Sequence, residues 1–123
     1  MKLLFCLFWF ACATQSAVKT DVPSEISLQD FYPLSKTAII IDVRTQAEFQ
    51  SGHVPGARNI PLNELPDKIS SLTADRSQPV YFICASGVRS AKATQLARSQ
   101  GYTKAINIKD GTYGWRSAGF PLE

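Results

Sequence analysis

The chain has 123 residues, enough for one domain with a modest core and too few for two. Its 45% hydrophobic and 19% charged residues are those of an ordinary globular protein. The net charge of +3 comes with no Lys/Arg run and no basic stripe interleaved with aromatics, which excludes nucleic-acid binding as a function class.

Met1-Lys2 gives a short positive start, Leu3 to Cys12 is an unbroken apolar run of ten residues, and small and polar residues follow from Ala13 to Ala17. That is the three-part pattern of a secretory signal peptide. The run is too short to span a bilayer, which takes roughly 20 apolar residues as a helix. Ala11-Cys12-Ala13 offers cleavage after Ala13, and Thr14-Gln15-Ser16 offers it after Ser16. Residues 1–17 are therefore expected to be removed and the protein to act in the periplasm. Two alternatives stand beside this one. Cys12 is the lipid-bearing residue of a lipoprotein signal, which Ala11 suits and Trp9 does not, or the segment is an N-terminal strand. Without lipid on Cys12 the mature form has no membrane partner. Ordinary cleavage removes Cys6 and Cys12, so Cys84 remains as a thiol with no internal disulfide partner.

Residues 18–25 are polar, contain Pro23, and are expected to be a flexible lead-in; the domain proper is placed at 26–123. Ile26 to Leu28 predicts a short edge strand, with a turn or short helix around Asp30 to Leu34. Ala38 to Val43 is a β-branched run expected of a strand buried on both faces. Thr45-Gln46-Ala47-Glu48 fits a capping box and predicts a short helix from Gln46 to about Gln50. Gly52 to Ala57 is a loop with a Pro-Gly turn. Arg58 to Ile60 is at most a short strand, and Asn63 is placed as the cap of a helix through Ile69, with Pro66 tolerated in its first turn. A polar loop covers Thr73 to Pro79. Val80 to Ile83 is a second apolar strand, Ser90 to Gln100 a helix ended by Gly101, Ala105 to Ile108 a last strand, and Gly111 to Ser117 a last short helix. This alternation indicates an α/β fold with a mostly parallel sheet of about five strands and helices on both faces. Ligands of such sheets bind beyond the carboxyl ends of the strands, where Asp42 and Cys84 both fall.

Cys84-Ala85-Ser86-Gly87-Val88-Arg89 is the passage with the most chemistry in it. It leads from a buried strand into a helix, where free N–H groups and the positive end of the helix dipole favour anions. The same field favours thiolate over thiol, and thiolate is the nucleophile. Gly87 suits a tight bend, and Arg89 adds a charge where a helix dipole disfavours cations, which points to a function for it.

The chain resembles the rhodanese (sulfurtransferase) family in its small, single-domain, exported form. Four pieces carry the resemblance: Asp42-Val43-Arg44; Gly52 to Ala57 leading to Asn59-Ile60-Pro61; Cys84 to Arg89 with Ser90; and Gly111 through Gly114-Trp115 to Ala118-Gly119-Phe120-Pro121. The resemblance implies sulfur transfer by covalent catalysis on Cys84. Its thiolate takes the outer sulfur of thiosulfate or a similar small anionic donor, and cyanide or a thiol removes it. Ala85, Ser86, Gly87, Val88, Arg89 and Ser90 are the expected substrate-binding residues, with their backbone N–H groups converging on sulfur and the site open to approach. No metal or cofactor is implied, and a monomer is expected. Asp42 and Arg44 are expected to tie loops together, His53 to organise its loop, Glu48 to serve only as a cap, and Trp115 to fill core.

Three other classes compete. Cys-dependent phosphatases and arsenate reductases use a loop one residue longer than the Ala85 to Val88 stretch between Cys84 and Arg89. A non-catalytic module has no need of both residues. A disulfide oxidoreductase lacks its C-x-x-C. A persulfide carrier serving one partner uses the same residues and differs only in the acceptor.

Overall fold

The protein is described from a computed structural model covering residues 22–123, so the expected signal segment, 1–17, lies outside the described residues. Five strands, β1 (Glu25–Ile26), β2 (Ile39–Asp42), β3 (Arg58–Asn59), β4 (Val80–Ile83) and β5 (Ala105–Ile108), alternate with five helices. These are α1 (Leu28–Phe31), α2 (Gln46–Gln50), α3 (Leu65–Lys68), α4 (Val88–Ser99) and α5 (Gly111–Ser117). The sheet runs β1-β5-β4-β2-β3 and every pairing in it is parallel. Both edge strands are two residues long.

Alternation along the strands divides the core into two layers, which is why the central strands are apolar throughout. Ile40, Tyr81, Ile83, Ile106 and Ile108 pack with Leu28, Phe31 and Trp115 on one face. Ile41, Val43, Phe82, Cys84 and Ala105 pack with Leu65, Ala93, Ala97 and Tyr102 on the other. The expected fold class is the observed one.

Several boundaries differ from those expected. The lead-in is shorter: the Asn107 amide N–H donates to Ser24 O at 2.8 Å, the Arg98 guanidinium donates to Val22 O at 2.9 Å, and Glu25 is already in β1. Ser27, rather than continuing a strand, caps α1 by accepting from the Asp30 N–H at 3.1 Å. Asn63 caps nothing. It lies inside a 3₁₀ turn, Leu62–Glu64, that runs into α3, with Pro66 in the first turn of that helix. α4 opens at Val88 instead of Ser90, because the left-handed turn at Gly87 already releases the chain into helix. Among the described residues no helix is long and apolar enough to cross a membrane.

The carboxyl end of β2 is fastened by a buried ion pair. Arg44 donates to Asp42 through Nη2 at 2.8 Å and through Nε, and the same Nη2 donates to Gly52 O at 2.8 Å. Asn59 Nδ2 donates to the carbonyls of Asp42 and Arg44, each at 3.0 Å, which ties β3 to the same corner. Asp42 and Arg44 are 0% and 3% exposed, so neither charge has water to fall back on. Asp42→Asn should therefore destabilise the fold by about 3–5 kcal/mol, the cost of stranding one buried partner. Urea unfolding with unchanged midpoint would remove this pair as the fastening of the corner.

Candidate active site

Cys84 follows β4 directly, and the chain then turns through Gly87 (φ 101°) into α4. That positive φ is where a residue other than glycine would strain the backbone. No side-chain oxygen caps α4. The sulfur takes that part instead: Cys84 Sγ accepts from the Gly87 N–H at 3.1 Å and lies 3.3 Å from Ser90 Oγ. Burial pushes the Cys84 thiol up, but the Ser90 hydroxyl and the N–H groups of Ser90, Gly87 and Ser86 outweigh it and bring the pKa below the ordinary cysteine value. Of the loop amides expected to face sulfur, that of Gly87 donates to Cys84 Sγ, and those of Ser86 and Ser90 act on it through the lowered pKa.

The open approach expected at the sulfur is not found. Cys84 is 0% exposed, because the loop that supplies its donors also closes over it. Ala85 and Ser90 are buried with it, Gly87 and Arg89 are half-buried, and Ser86 and Val88 form the exposed crest.

Arg89 is placed beside the site but is not free. Its Nη1 and Nη2 donate to Glu48 Oε1 and Oε2 at 2.7 and 2.9 Å. Glu48 also completes the capping box of α2, with Oε1 accepting from the Thr45 N–H at 3.2 Å and the Thr45 hydroxyl at 3.1 Å. Against the upward push of burial, the Arg89 guanidinium first and Thr45 second hold the Glu48 carboxyl at about 2. The cap read from sequence is correct, and the exclusive role given to Glu48 is not. The missing partner stands 41 positions away, beyond any local pattern.

Further groups hold the loop from below. The N–H groups of Thr112 and Tyr113, at the start of α5, donate to the carbonyls of Cys84 and Ala85 at 2.8 and 3.1 Å. Gly111 sits so close that a Cβ there would fall 2.3 Å from Cys84 O and 2.5 Å from Ala85 O. Asn107 Nδ2 donates to Gly87 O at 3.2 Å, and its Oδ1 is buried without a partner. Asn107 was not among the residues singled out in the sequence, although an amide within Ala-Ile-Asn-Ile, a buried strand, is itself a signal.

The remaining residues have structural partners. His53 stacks on Phe49 with ring centroids 3.7 Å apart, its Nδ1 lies 3.0 Å from Phe49 O, and its backbone pairs with Glu123. Trp115 is core, its indole N–H donating to Pro121 O at 2.8 Å. Arg58 reaches the Ser71 carbonyl and hydroxyl. Among the described residues no three His, Cys, Asp or Glu side chains are grouped to hold a metal ion.

A parallel α/β sheet with a cysteine at a strand end and its sulfur at a helix start defines a class of thiolate-dependent enzymes. The rhodanese-like domain family matches residues 28–118, and the chain belongs to that family. It is 32% identical over 102 residues to a sulfurtransferase of Allochromatium vinosum, covering 83% of this chain and 92% of that one. It is 36% identical over 93 residues to the human thiosulfate:glutathione sulfurtransferase, covering 66% of this chain and 81% of that one. The crystal structure of a rhodanese-related protein from Thermoplasma volcanium superimposes with a TM-score of 0.73 at 29% identity, over 80% of this chain and 96% of that one. The chain is thus a member of a sulfurtransferase family, in single-domain form.

Two outcomes follow for the loop. Ser90→Ala removes the hydroxyl that lowers the thiol pKa, so less thiolate forms at a given pH and the rate of Cys84 alkylation should shift to higher pH. A profile superimposable on the parent would deny Ser90 that role. Gly111→Ala should cost about 2–4 kcal/mol, since its Cβ collides with backbone that cannot swing aside. A thermal midpoint equal to the parent's would contradict the close approach.

Proposed function

We propose that the protein moves sulfane sulfur from thiosulfate, or a similar small anionic donor, to cyanide or a thiol through a persulfide on Cys84. The observation that carries this is the seat of Sγ, 3.1 Å from the Gly87 amide nitrogen and 3.3 Å from the Ser90 hydroxyl at the start of α4, with the thiol pKa lowered. The family membership and the sulfurtransferase relatives support the reaction class, and the human relative's name supports both thiosulfate and a thiol as reactants.

The chemistry needs no oxidant. The Cys84 thiolate attacks the outer sulfur of thiosulfate, a new S–S bond forms, the old one breaks, and sulfite leaves with the electron pair. Cyanide or a thiolate then takes the outer sulfur of the persulfide and returns the Cys84 thiolate, which makes the cycle ping-pong. The amides that lower the thiol pKa are placed to hold the negative persulfide as well. Because Cys84 is buried in the resting loop, entry of the donor requires the exposed crest at Ser86 and Val88 to move aside. In the same proposal residues 1–17 direct export and are removed, so that the protein works in the periplasm as a monomer.

Incubation with thiosulfate should raise the intact mass by one sulfur atom, and cyanide should erase the gain. Cys84→Ser should show neither the gain nor any thiosulfate-to-cyanide transfer, with its circular dichroism unchanged. Transfer persisting in that variant, or a mass that stays constant in the parent, would end the assignment. Cys84-dependent hydrolysis of an aryl phosphate would replace it with phosphatase chemistry.

A further inference from the structure

β5 is buried along its whole length, and Asn107 is the one amide side chain in it. The residue is 4% exposed, and its Oδ1 has no hydrogen-bond partner. An unpaired buried acceptor lowers stability in a way that an apolar side chain of the same shape would not. The other end of the same amide supplies a reason for bearing that cost: Nδ2 donates to Gly87 O at 3.2 Å.

Alternation along β5 puts Asn107 on the face of the sheet that bears Cys84 and α4, beside Phe82 of β4. Gly87 is seated directly on the end of β5. A Cβ added to it would lie 3.6 Å from the Asp110 amide nitrogen, 3.9 Å from Ile108 O and 4.0 Å from Asn107 Nδ2. Gly87 is also held at both ends. Its N–H is on Cys84 Sγ at 3.1 Å, and its carbonyl is taken by Asn107 from the sheet and by the Ala91 N–H, at 3.1 Å, from α4. The Ala91 bond belongs to the helix, whereas the Asn107 bond ties Gly87 to the sheet from which Cys84 itself extends. Glycine has the widest backbone freedom of any residue, so an N–H on it stays in place only where its neighbouring atoms are fixed.

We propose that Asn107 is a positioning residue for the Cys84 reaction: by holding Gly87 O against the sheet it keeps the Gly87 N–H on the sulfur. Asn107 makes no hydrogen bond to the sulfur and acts through Gly87. This rests on sulfur transfer through Cys84 as proposed above. The ionised pairs at the site, Arg89 with Glu48 and Arg44 with Asp42, make no hydrogen bond to Asn107, and Lys109 and Asp110 in the turn after β5 are exposed. Removing the amide therefore changes a dipole at the sulfur and no charge.

The test is Asn107→Leu, which keeps the branched shape and removes both ends of the amide. Gly87 O retains the Ala91 N–H and the unpaired Oδ1 is gone, so the urea midpoint should equal or exceed the parent's. With the Gly87 N–H no longer fixed, the midpoint of the pH profile of Cys84 alkylation should rise by about half a unit. Sulfur gain from thiosulfate should slow about threefold below the thiol pKa and return to the parent rate above it. Ile106→Val is the control: it trims the opposite face of β5 and should lower the urea midpoint while leaving the alkylation profile where it was. A profile unmoved in Asn107→Leu, or moved as far in Ile106→Val, overturns the role given to Asn107 while the parent still gains sulfur. A parent that gains no sulfur overturns the transfer reading, and with it any part for Asn107 in that reaction.

Discussion

A sulfur atom stands where a helix would ordinarily place a capping oxygen, and the arrangement of the site depends on that substitution. Cys84 Sγ accepts from the Gly87 N–H just before α4 and faces the Ser90 N–H in the first turn, whose amides need an acceptor. One contact thereby does two things: it closes the helix end and it favours the ionised sulfur. The exchange of an electron-rich sulfur for a persulfide keeps a negative atom at the same mouth, so the helix end has a partner at each stage of the proposed cycle.

The rest of the molecule holds that mouth in position. Parallel pairing sends the ends of β2, β4 and β5 to one edge. From there the Asp42–Arg44 pair fixes one side, the first amides of α5 fix the carbonyls of Cys84 and Ala85, and Asn107 fixes the carbonyl of Gly87. The layers differ in what they contribute. The face bearing Trp115 is aromatic, with Phe31 tilted against the indole and Tyr32 and Phe120 edge-on to it, whereas the face bearing Cys84 is lined by small alanines of α4 that let helix and sheet come close.

The parts that sequence made legible are those set by short-range chemistry. β4 and β5 have the limits expected from their apolar runs, α2 follows from Thr45 and Glu48 acting within one turn, and α5 begins at Gly111 as expected. Cys84 and its loop were legible because a strand, a thiol, a glycine and a cation follow one another without interruption. What escaped depends on the third dimension. Asn63 looked like a cap, but the chain around it tightens into 3₁₀ geometry and gives its side chain no helix end to serve. Glu48 gave no hint of Arg89, because contacts between distant segments leave no periodicity in either. Nor could the closure over Cys84 be read from a string of residues, since it comes from how the loop curls back upon its own strand.

That closure governs which reactions the thiol escapes as well as those it performs. A low-pKa thiolate left in the open is quickly taken to sulfenic and sulfinic acid, or joined to a neighbouring protein's cysteine. With Cys84 at 0% exposure, neither another protein's thiol nor peroxide meets it at the surface of the resting loop. Access to the sulfur is thus set by burial as well as by acidity, so that a thiol with a lowered pKa is sheltered from over-oxidation by the turn that activates it.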